Sequence, residues 1–156
     1  MLGGAGRRAA LKFDARAPIS HRMDQARVEL LREFYEALNR DDFDSAVKLC
    51  DPDVRVWLNP DVVAALPPRG HKEVANYLRG WFDSWDTYVA RPQEFIEAGE
   101  QMVVMVQLRA RGKGSRFEIE EEMADVFTLD DGHIVELRLY VDRGVALESA
   151  GVERGQ

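Results

Sequence analysis

The sequence is poor in the residues that form cross-links and metal clusters. Cys50 is the only cysteine among 156 residues, so no disulfide can form within the chain and no thiolate cluster can be assembled from it. Its place among apolar residues predicts a buried structural thiol and not a nucleophile. A lone cysteine fits a reducing compartment, and we expect a cytoplasmic protein.

The chain also lacks long apolar runs and the common nucleotide and hydrolase motifs. No run approaches the roughly 18 apolar residues that a membrane-spanning helix needs, so we expect no membrane partner. There is no phosphate-binding loop, no dinucleotide fingerprint after a strand, no HExxH zinc motif and no GxSxG elbow. These absences disfavour nucleotide hydrolysis, Rossmann-type cofactor use and triad hydrolysis, and we expect no cofactor and no metal.

The charge is unevenly distributed along the chain. The formal net charge is −7, but residues 1–22 hold five basic residues and a single aspartate, so the remainder carries −11. An acidic body would repel phosphates, which argues against nucleic acid as the main partner. The Gly-, Ala- and Arg-rich residues 1–22 predict a disordered leader. One domain over 23–151 and a tail over 152–156 would follow.

Hydrophobic periodicity predicts helices in the first half of the chain and strands in the second. Apolar residues recur at helical spacing after Asp24, which we expect to cap the first helix, and again after Gly70. Asp42 is placed to cap a short helix, and a half-buried strand follows, ending at Leu58. The apolar period then changes to two, with turn sequences between strands. The later elements are predicted as strands over 87–97, 101–111, 116–129 and 133–142, and a helix over 143–150. This order indicates an α+β fold whose curved antiparallel sheet wraps around the N-terminal helices.

The segments EFYEALNRDDFDSAV, DPDVRVW, RGHKEVANYLRGWF and LDDGHIVELRLYVDR resemble the nuclear transport factor 2-like superfamily, and most of all its SnoaL-like branch. The resemblance covers roughly residues 24–151. It implies a cone-shaped barrel with a deep apolar pocket at the wide end, and homodimers formed through the outer face of the sheet. It implies no single activity, because the superfamily includes isomerases, cyclases, dehydratases, epoxide hydrolases and non-enzymatic binders.

Two carboxylates are expected on the inward face of the strand over 116–129. Alternation places Glu121 and Asp125 on its otherwise apolar face, where burial would raise the pKa of a carboxyl group. On a regular strand the two residues lie about 13 Å apart. They cannot share a proton, and each needs a partner from another element.

The resemblance assigns further roles. In the ketosteroid isomerases of the superfamily, a Tyr and a protonated Asp stabilise an oxyanion while a second Asp moves the proton. Asp125 takes the position of the oxyanion Asp. The Tyr position falls on Phe34, with Tyr35 one residue later, and the base position falls on Leu58, next to Asn59. The predicted catalytic residues are Asp125, Glu121 and Tyr35.

Aromatic residues could form the wall of a pocket for a flat or cyclic ligand. The spacing of Trp57, Trp81, Phe82 and Trp85 is equally typical of an ordinary core, so both interpretations stay open. A loop with three prolines precedes His71 and is long enough to border a pocket mouth. The residues predicted to contact a ligand are Trp57, Asn59, His71, Trp81, Phe82, Met123, Phe127 and Leu139.

Two functions are compatible with these residues. The first is a cofactor-free acid/base enzyme, an isomerase, cyclase or hydratase, acting on a small apolar cyclic compound through Asp125. The second is a ligand-binding or carrier protein of the same fold in which Asp125 is a structural carboxylate. The absence of a base at Leu58 favours the second function, and the inward carboxylates favour the first.

Overall fold

The computed structural model describes the backbone of residues 18–58 and 66–152, with side chains described from Gln25 onward. Most of the predicted leader, the proline loop from Asn59 to residue 65 and the last four residues lie outside the described residues. Within the described part, no helix combines the length and the apolar character needed to cross a membrane.

The described residues form four helices: α1 Pro18–Asn39, α2 Phe43–Lys48, α3 Gly70–Asp83 and α4 Arg143–Ser149. The predicted cap of α2 is confirmed, since the Asp42 carboxylate accepts a hydrogen bond from the backbone N–H of Ser45 at 3.2 Å. The predicted start of α1 after Asp24 is wrong. The helix begins at Pro18, where the missing N–H of proline costs nothing because the first turn needs no donor.

Five strands follow the predicted positions closely: β1 Cys50–Trp57, β2 Trp85–Ala98, β3 Gln101–Gly112, β4 Glu118–Asp130 and β5 His133–Tyr140. They lie in the order β1-β5-β4-β3-β2 and form an open sheet. The α+β class is confirmed. The sheet is mixed and not wholly antiparallel, because β1 pairs in parallel with β5. The hairpin signals in the sequence concern only the connections from β2 to β5.

The turn between β4 and β5 shows why local sequence specifies the hairpins. Asp131 and Gly132 both have positive φ angles, 53° and 78°, and Asp130 pairs with His133 across the turn. A two-residue turn of this kind needs positive φ at both central positions, which Asp followed by Gly supplies with little strain.

The two faces of the sheet carry separate apolar layers. On the inner face, α1, α2 and α3 pack over residues such as Val104 and Phe127. On the outer face, α4 packs against a smaller layer that includes Val103 and Val126. Adjacent strand residues therefore serve opposite layers, as the alternation of a strand requires.

Cys50 is buried, as predicted, but it is the first residue of β1 and not part of a helical stripe. Burial raises the pKa of its thiol to about 12, with the Asp51 carboxylate adding to the rise. A thiol that stays protonated is a poor nucleophile. The structure thus agrees with a packing role for Cys50.

Candidate functional site

The most unusual polar contact in the described part of the chain joins α1 to β4. The hydroxyl of Tyr35 donates a hydrogen bond to Oδ2 of Asp125 at 2.5 Å, and both residues are buried. Tyr35 lies on the buried stripe of α1, one turn after Leu31. Asp125 lies on the inward face of β4 between Met123 and Phe127. The structure brings together two of the three predicted catalytic residues.

The C-terminal end of α1 is pinned to the sheet close to this pair. The side chain of Asn39 donates to the backbone oxygen of Ala90 at 2.8 Å and accepts from the backbone N–H of Ala90 at 3.1 Å. Asn39 is one helical turn after Tyr35 and shares its face of the helix. These two hydrogen bonds with β2 fix the position of the end of α1, and with it the position of the Tyr35 side chain in the inner layer.

Asp125 lies in apolar surroundings. Its neighbours in the sheet are Val104 on β3 and Leu139 on β5, and its side chain is 8% exposed. Burial raises the pKa of Asp125 to about 6, while the hydrogen bond from Tyr35 opposes the rise. Within the described part of the chain, no other group donates to this carboxyl. The hydroxyl of Tyr35 contacts Oδ2, and no described residue donates to Oδ1.

Two phenols lie within electrostatic reach of Asp125. Burial raises the pKa of Tyr35 well above its ordinary value, and the charge of Asp125 raises it further. Burial raises the pKa of Tyr88 to about 12; a hydrogen bond donated by the Trp81 indole opposes the rise, and the charge of the Asp125 carboxylate adds to it. Both phenols therefore stay protonated near neutral pH and can act as hydrogen-bond donors.

Four aromatic residues form a continuous half-buried group beside the acid, which we call the aromatic wall: Trp81 and Phe82 from α3 with Trp85 and Tyr88 from β2. Tyr88 is its centre. The ring centroid of Tyr88 lies 4.8 Å from that of Phe82, 5.5 Å from that of Trp85 and 6.2 Å from that of Trp81. The predicted ligand contacts Trp81 and Phe82 thus belong to one surface that also contacts the inner core.

The remaining predicted contacts on β4 and β5 lie on the inner face. Met123, Phe127 and Leu139 are all buried there. Phe127 packs edge to face against Phe34 and Tyr35, with centroid distances of 5.7 and 5.8 Å. Phe127 therefore packs against the Tyr35 ring on the inner face of the sheet. Leu139 pairs with Asp125 across β5 and β4.

Glu121 does not share the surroundings of Asp125. It was predicted to be buried, and that prediction is wrong, because every residue from Glu118 to Glu122 is exposed. The cause is the length of β5, which pairs with β4 only from Ala124 to Asp130. The first residues of β4 extend past β5, so alternation there no longer separates core from solvent. The site therefore has a single buried carboxyl group among the described residues.

Trp57 and His71 also lie away from the acid. Trp57 alternates with the buried Val56 and Leu58, and its ring is flanked by the guanidinium groups of Arg55 and Arg138. Nε2 of His71 contacts the backbone oxygen of Cys50 at 2.9 Å.

Trp57 thus has its partners on the outer face of the sheet. His71 has its partner beside the start of α3. Asn59 lies outside the described residues.

Tyr88 was missed by the sequence reasoning. A signal was available, because Tyr88 and Ala90 share a face of β2, and an aromatic residue three positions after Trp85 extends the aromatic series of α3. The change from helical to strand spacing between Trp85 and Tyr88 hid that continuity.

A hollow of about 390 Å³ lies along the earlier part of α1, between Arg27 and the turn at Gly132. It contains none of the predicted site residues, and the Arg27 side chain is bound to Glu97 and to the backbone oxygen of Gly99. Among the described residues, no group of His, Cys, Asp and Glu side chains is arranged to hold a metal ion.

An open mixed sheet with three helices over its inner face is the architecture of the nuclear transport factor 2-like, ketosteroid isomerase-like fold. More narrowly, the chain belongs to the SnoaL-like domain family, whose profile matches residues 31–137. No curated protein matches the sequence.

Solved structures agree with this assignment. An NTF2-like protein of unknown function from Burkholderia pseudomallei is 25% identical, with a TM-score of 0.66, and the match covers 79% of this chain and 95% of that one. TerC, co-crystallised with polyporic acid, is 17% identical with a TM-score of 0.66 over 81% and 98% of the two chains.

SalBIII, an epoxide hydrolase/cyclase-like enzyme of pyran ring formation in the polyether salinomycin, is 19% identical with a TM-score of 0.63 over 76% and 92%. The last two likenesses show the fold alone.

Proposed function

We propose that this protein binds a small, largely apolar cyclic molecule against the inner face of the sheet, and that Asp125 makes the central polar contact with it. The observation that carries the proposal is the buried Asp125, held by Tyr35 through one oxygen only. A buried carboxyl group with so few partners is unfavourable for folding alone. Groups kept under such conditions are concentrated at functional sites.

The same arrangement suits cofactor-free acid/base chemistry. A carboxyl group with a pKa of about 6 is present in both forms near neutral pH, so it can donate a proton to a ligand oxygen and later take it back. Tyr35 would orient the carboxyl group through its second oxygen. Isomerisation, cyclisation and hydration are the reaction classes that such a group serves, and ring formation by the SalBIII fold relative is consistent with them.

The competing function is binding without turnover. The position expected for a separate base holds Leu58, which is buried and apolar. Without a second group to move the opposite proton, Asp125 would bind a ligand and not transform it. This observation keeps the carrier function as the alternative.

The first experiment measures the pH dependence of binding for two bicyclic probes of similar shape. The hydroxyl of 2-naphthol donates a hydrogen bond, so it should bind more tightly above pH 6, where Asp125 is ionised. The carbonyl of 2-tetralone accepts one, so it should bind more tightly below pH 6. Each change should be about tenfold, and tryptophan fluorescence would report binding.

Asp125→Asn should remove both pH dependences, because an amide has no proton to lose in this range. Glu121→Gln is the matched control, since it removes an exposed carboxylate from the same strand, and it should leave both curves unchanged. Two probes with flat curves in the unaltered protein would show that Asp125 does not meet the ligand.

A second experiment separates the enzyme from the carrier. In deuterium oxide, exchange of the C1 protons of 2-tetralone can be followed by proton NMR. An acid/base enzyme should accelerate this exchange, and Asp125→Asn should abolish the acceleration. Binding of 2-tetralone without faster exchange would favour the carrier.

A further inference from the structure

The first five residues of β4 have a neighbouring strand on one side only. They pair with β3 in a register without a bulge, as far as Glu118 opposite Arg111. On the other side, β4 pairs with β5 only from Ala124, opposite Tyr140, onward. Among the described residues, no backbone group bonds to residues 118–122 from that side. Alternate N–H and C=O groups of this stretch, which we call the free edge of β4, therefore face solvent.

The two outer edges of the described sheet are better protected. On β2, the side chain of Asn39 bonds to both the N–H and the C=O of Ala90, and a bulge follows Pro92. On β1, Arg55 forms an antiparallel bridge with Arg69. Proteins protect exposed edges in these ways because an open edge pairs readily with another extended segment. The free edge of β4 has neither proline nor bulge, so its side chains decide which segment can pair.

The side chains of the free edge differ between its two faces. The outer face carries three glutamates: Glu118, Glu120 and Glu122. The inner face carries Glu121 and Ile119, and the adjoining Phe117 and Ile119 are exposed apolar residues. Only two of these four carboxylates are paired, with Arg109 and Arg143, among the described residues. Negative charge therefore remains in excess along the free edge.

This pattern selects among extended segments. Two copies of the free edge, paired antiparallel, would place glutamates opposite glutamates, which is unfavourable. A complementary strand carries basic residues on its outer face and apolar residues on its inner face. Residues 8–13, RAALKF, lie outside the described residues, and their sequence alternates in this way, with Arg8 and Lys12 at even positions. The odd positions are all apolar: Ala9, Leu11 and Phe13.

This segment cannot reach the free edge of its own copy. The C-terminal end of α1 is bonded to the middle of β2 through Asn39. Toward its other end, Arg27 bonds to the backbone oxygen of Gly99, at the end of the sheet opposite the free edge. A strand as long as β3 separates the two ends by about 35–40 Å. The chain from Phe13 to Pro18 spans at most about 18 Å.

We propose that the free edge of β4 pairs with residues 8–13 of a second copy of this chain, which add a strand in line with β5. Arg8 and Lys12 then lie beside the glutamates of the outer face. Leu11 lies on the inner face, on the same side as Ile119. Backbone hydrogen bonds supply the affinity of such strand addition, and alternate side chains supply the specificity. The contact does not involve Asp125, so it does not depend on the proposed function.

The first test measures binding of a synthetic peptide to the full chain by fluorescence anisotropy. The labelled peptide carries residues 8–13 with two glycines at each end. A control peptide with the order RKAALF has the same composition and charge but places a basic residue on each face. The native order should bind about tenfold more tightly than the control. Equal affinities would show attraction by charge alone and would overturn the proposal, as would the absence of binding.

Two charge reversals locate the contact. Glu118→Lys, on the free edge, should weaken binding of the native peptide by about fivefold or more. Glu29→Lys makes the same change at an exposed position of α1, near the turn at Gly132 and the opposite end of the sheet. It should leave the affinity within about twofold at physiological ionic strength, because charges more than about 8 Å apart are then largely screened. Equal weakening by both variants would contradict the proposal.

Disulfide cross-linking tests the contact between full chains. Cys50 is buried, so cysteines introduced by Leu11→Cys and by Ile119→Cys in separate chains are the reactive thiols. Under mild oxidation this pair of chains should cross-link faster than Leu11→Cys with Val145→Cys, which alters an exposed apolar residue of α4. Equal rates would sink the proposal. Faster cross-linking of Ile119→Cys with itself would show that the same edge of a second copy is the occupant, and would overturn the proposal.

Discussion

The two faces of the sheet differ in how their charged side chains are paired. On the outer face, carboxylates of β4 and β5 meet arginines in exposed ion pairs, which join Glu120 to Arg109, Glu122 to Arg143 and Glu136 to Arg138. On the inner face, the described residues place one buried carboxyl group, Asp125, against a phenol. Its pKa is raised to about 6 because burial disfavours the charged form.

The two faces also differ in what their carboxyl groups contribute to the free energy of folding. Exposed ion pairs contribute little to folding, and losing one changes little. A buried carboxyl group with a single donor lowers stability when ionised. Asp125 is the one buried polar or charged residue among the described residues, so the inner face holds the carboxyl group whose burial costs most.

The largest difference in folding stability is expected between two alanine substitutions, one at a buried residue of β4 and one at an exposed residue just before β4. Phe127→Ala removes a ring that is 0% exposed and packs against Phe34 and Tyr35. It should lower the free energy of unfolding by about 3–5 kcal/mol, measured by urea denaturation. Phe117→Ala removes a ring that is 83% exposed and should change it by less than about 0.5 kcal/mol. Equal losses would contradict the assignment of the inner core.

The next effect is the pH dependence of stability caused by Asp125. The pKa of its carboxyl is about 6 in the folded protein against an ordinary value of 3.8, so the folded state holds the proton more tightly. The stability contribution is fully present below pH 4 and is lost as the pH rises through 6. The change amounts to ~3 kcal/mol.

Asp125→Asn should remove this pH dependence and make the protein more stable than the unaltered chain at pH 8. Denaturation curves at pH 4, 6 and 8 would measure it, with Glu121→Gln as the exposed control. A variant less stable than the unaltered protein at pH 8 would mean that the ionised carboxylate is well accommodated.

A smaller effect is expected from the phenol. Tyr35→Phe removes the donor to Asp125 and should lower the free energy of unfolding by about 1.5–3 kcal/mol at pH 8, where the acceptor is charged. The loss should be smaller at pH 4. Because the hydrogen bond lowers the pKa of Asp125, that pKa should rise in the variant, as ¹³C NMR of the carboxyl group would show. Tyr140→Phe, on the outer face, should leave it unmoved.

The smallest effect is expected on the outer face. Glu122→Gln removes the ion pair with Arg143, whose side chains are 63% and 39% exposed. The free energy of unfolding should fall by less than about 0.5 kcal/mol, and added salt should reduce even that. A loss above 1 kcal/mol would show that the ion pair holds α4 on the sheet.

Most of the fold follows from local patterns. The positions of β2 to β5 follow from apolar alternation and turn residues, and Asp131 with Gly132 specifies one hairpin by its own backbone preferences. The parallel pairing of β1 with β5 could not be predicted in this way. It joins segments more than 70 residues apart, and no turn residue links them.

The candidate site was only partly predictable for the same reason. Alternation alone places Asp125 on the inward face of β4, and that placement is confirmed. The same rule failed for Glu121, because alternation states which face a residue is on and not whether anything covers that face. Coverage depends on where β5 ends, which is a property of the assembled sheet.

The sequence by itself determined the helices, the strands and the inward direction of one acidic residue, because these depend on neighbours a few positions apart. Only the tertiary structure decided that Tyr35 on α1 meets Asp125 across 90 residues, and that Trp57 lies between two arginines on the outer face. Tertiary structure likewise buried the indole donors of Trp81 and Trp85. Contacts of this kind arise from the packing of distant elements, and no local period in the chain encodes which elements will touch.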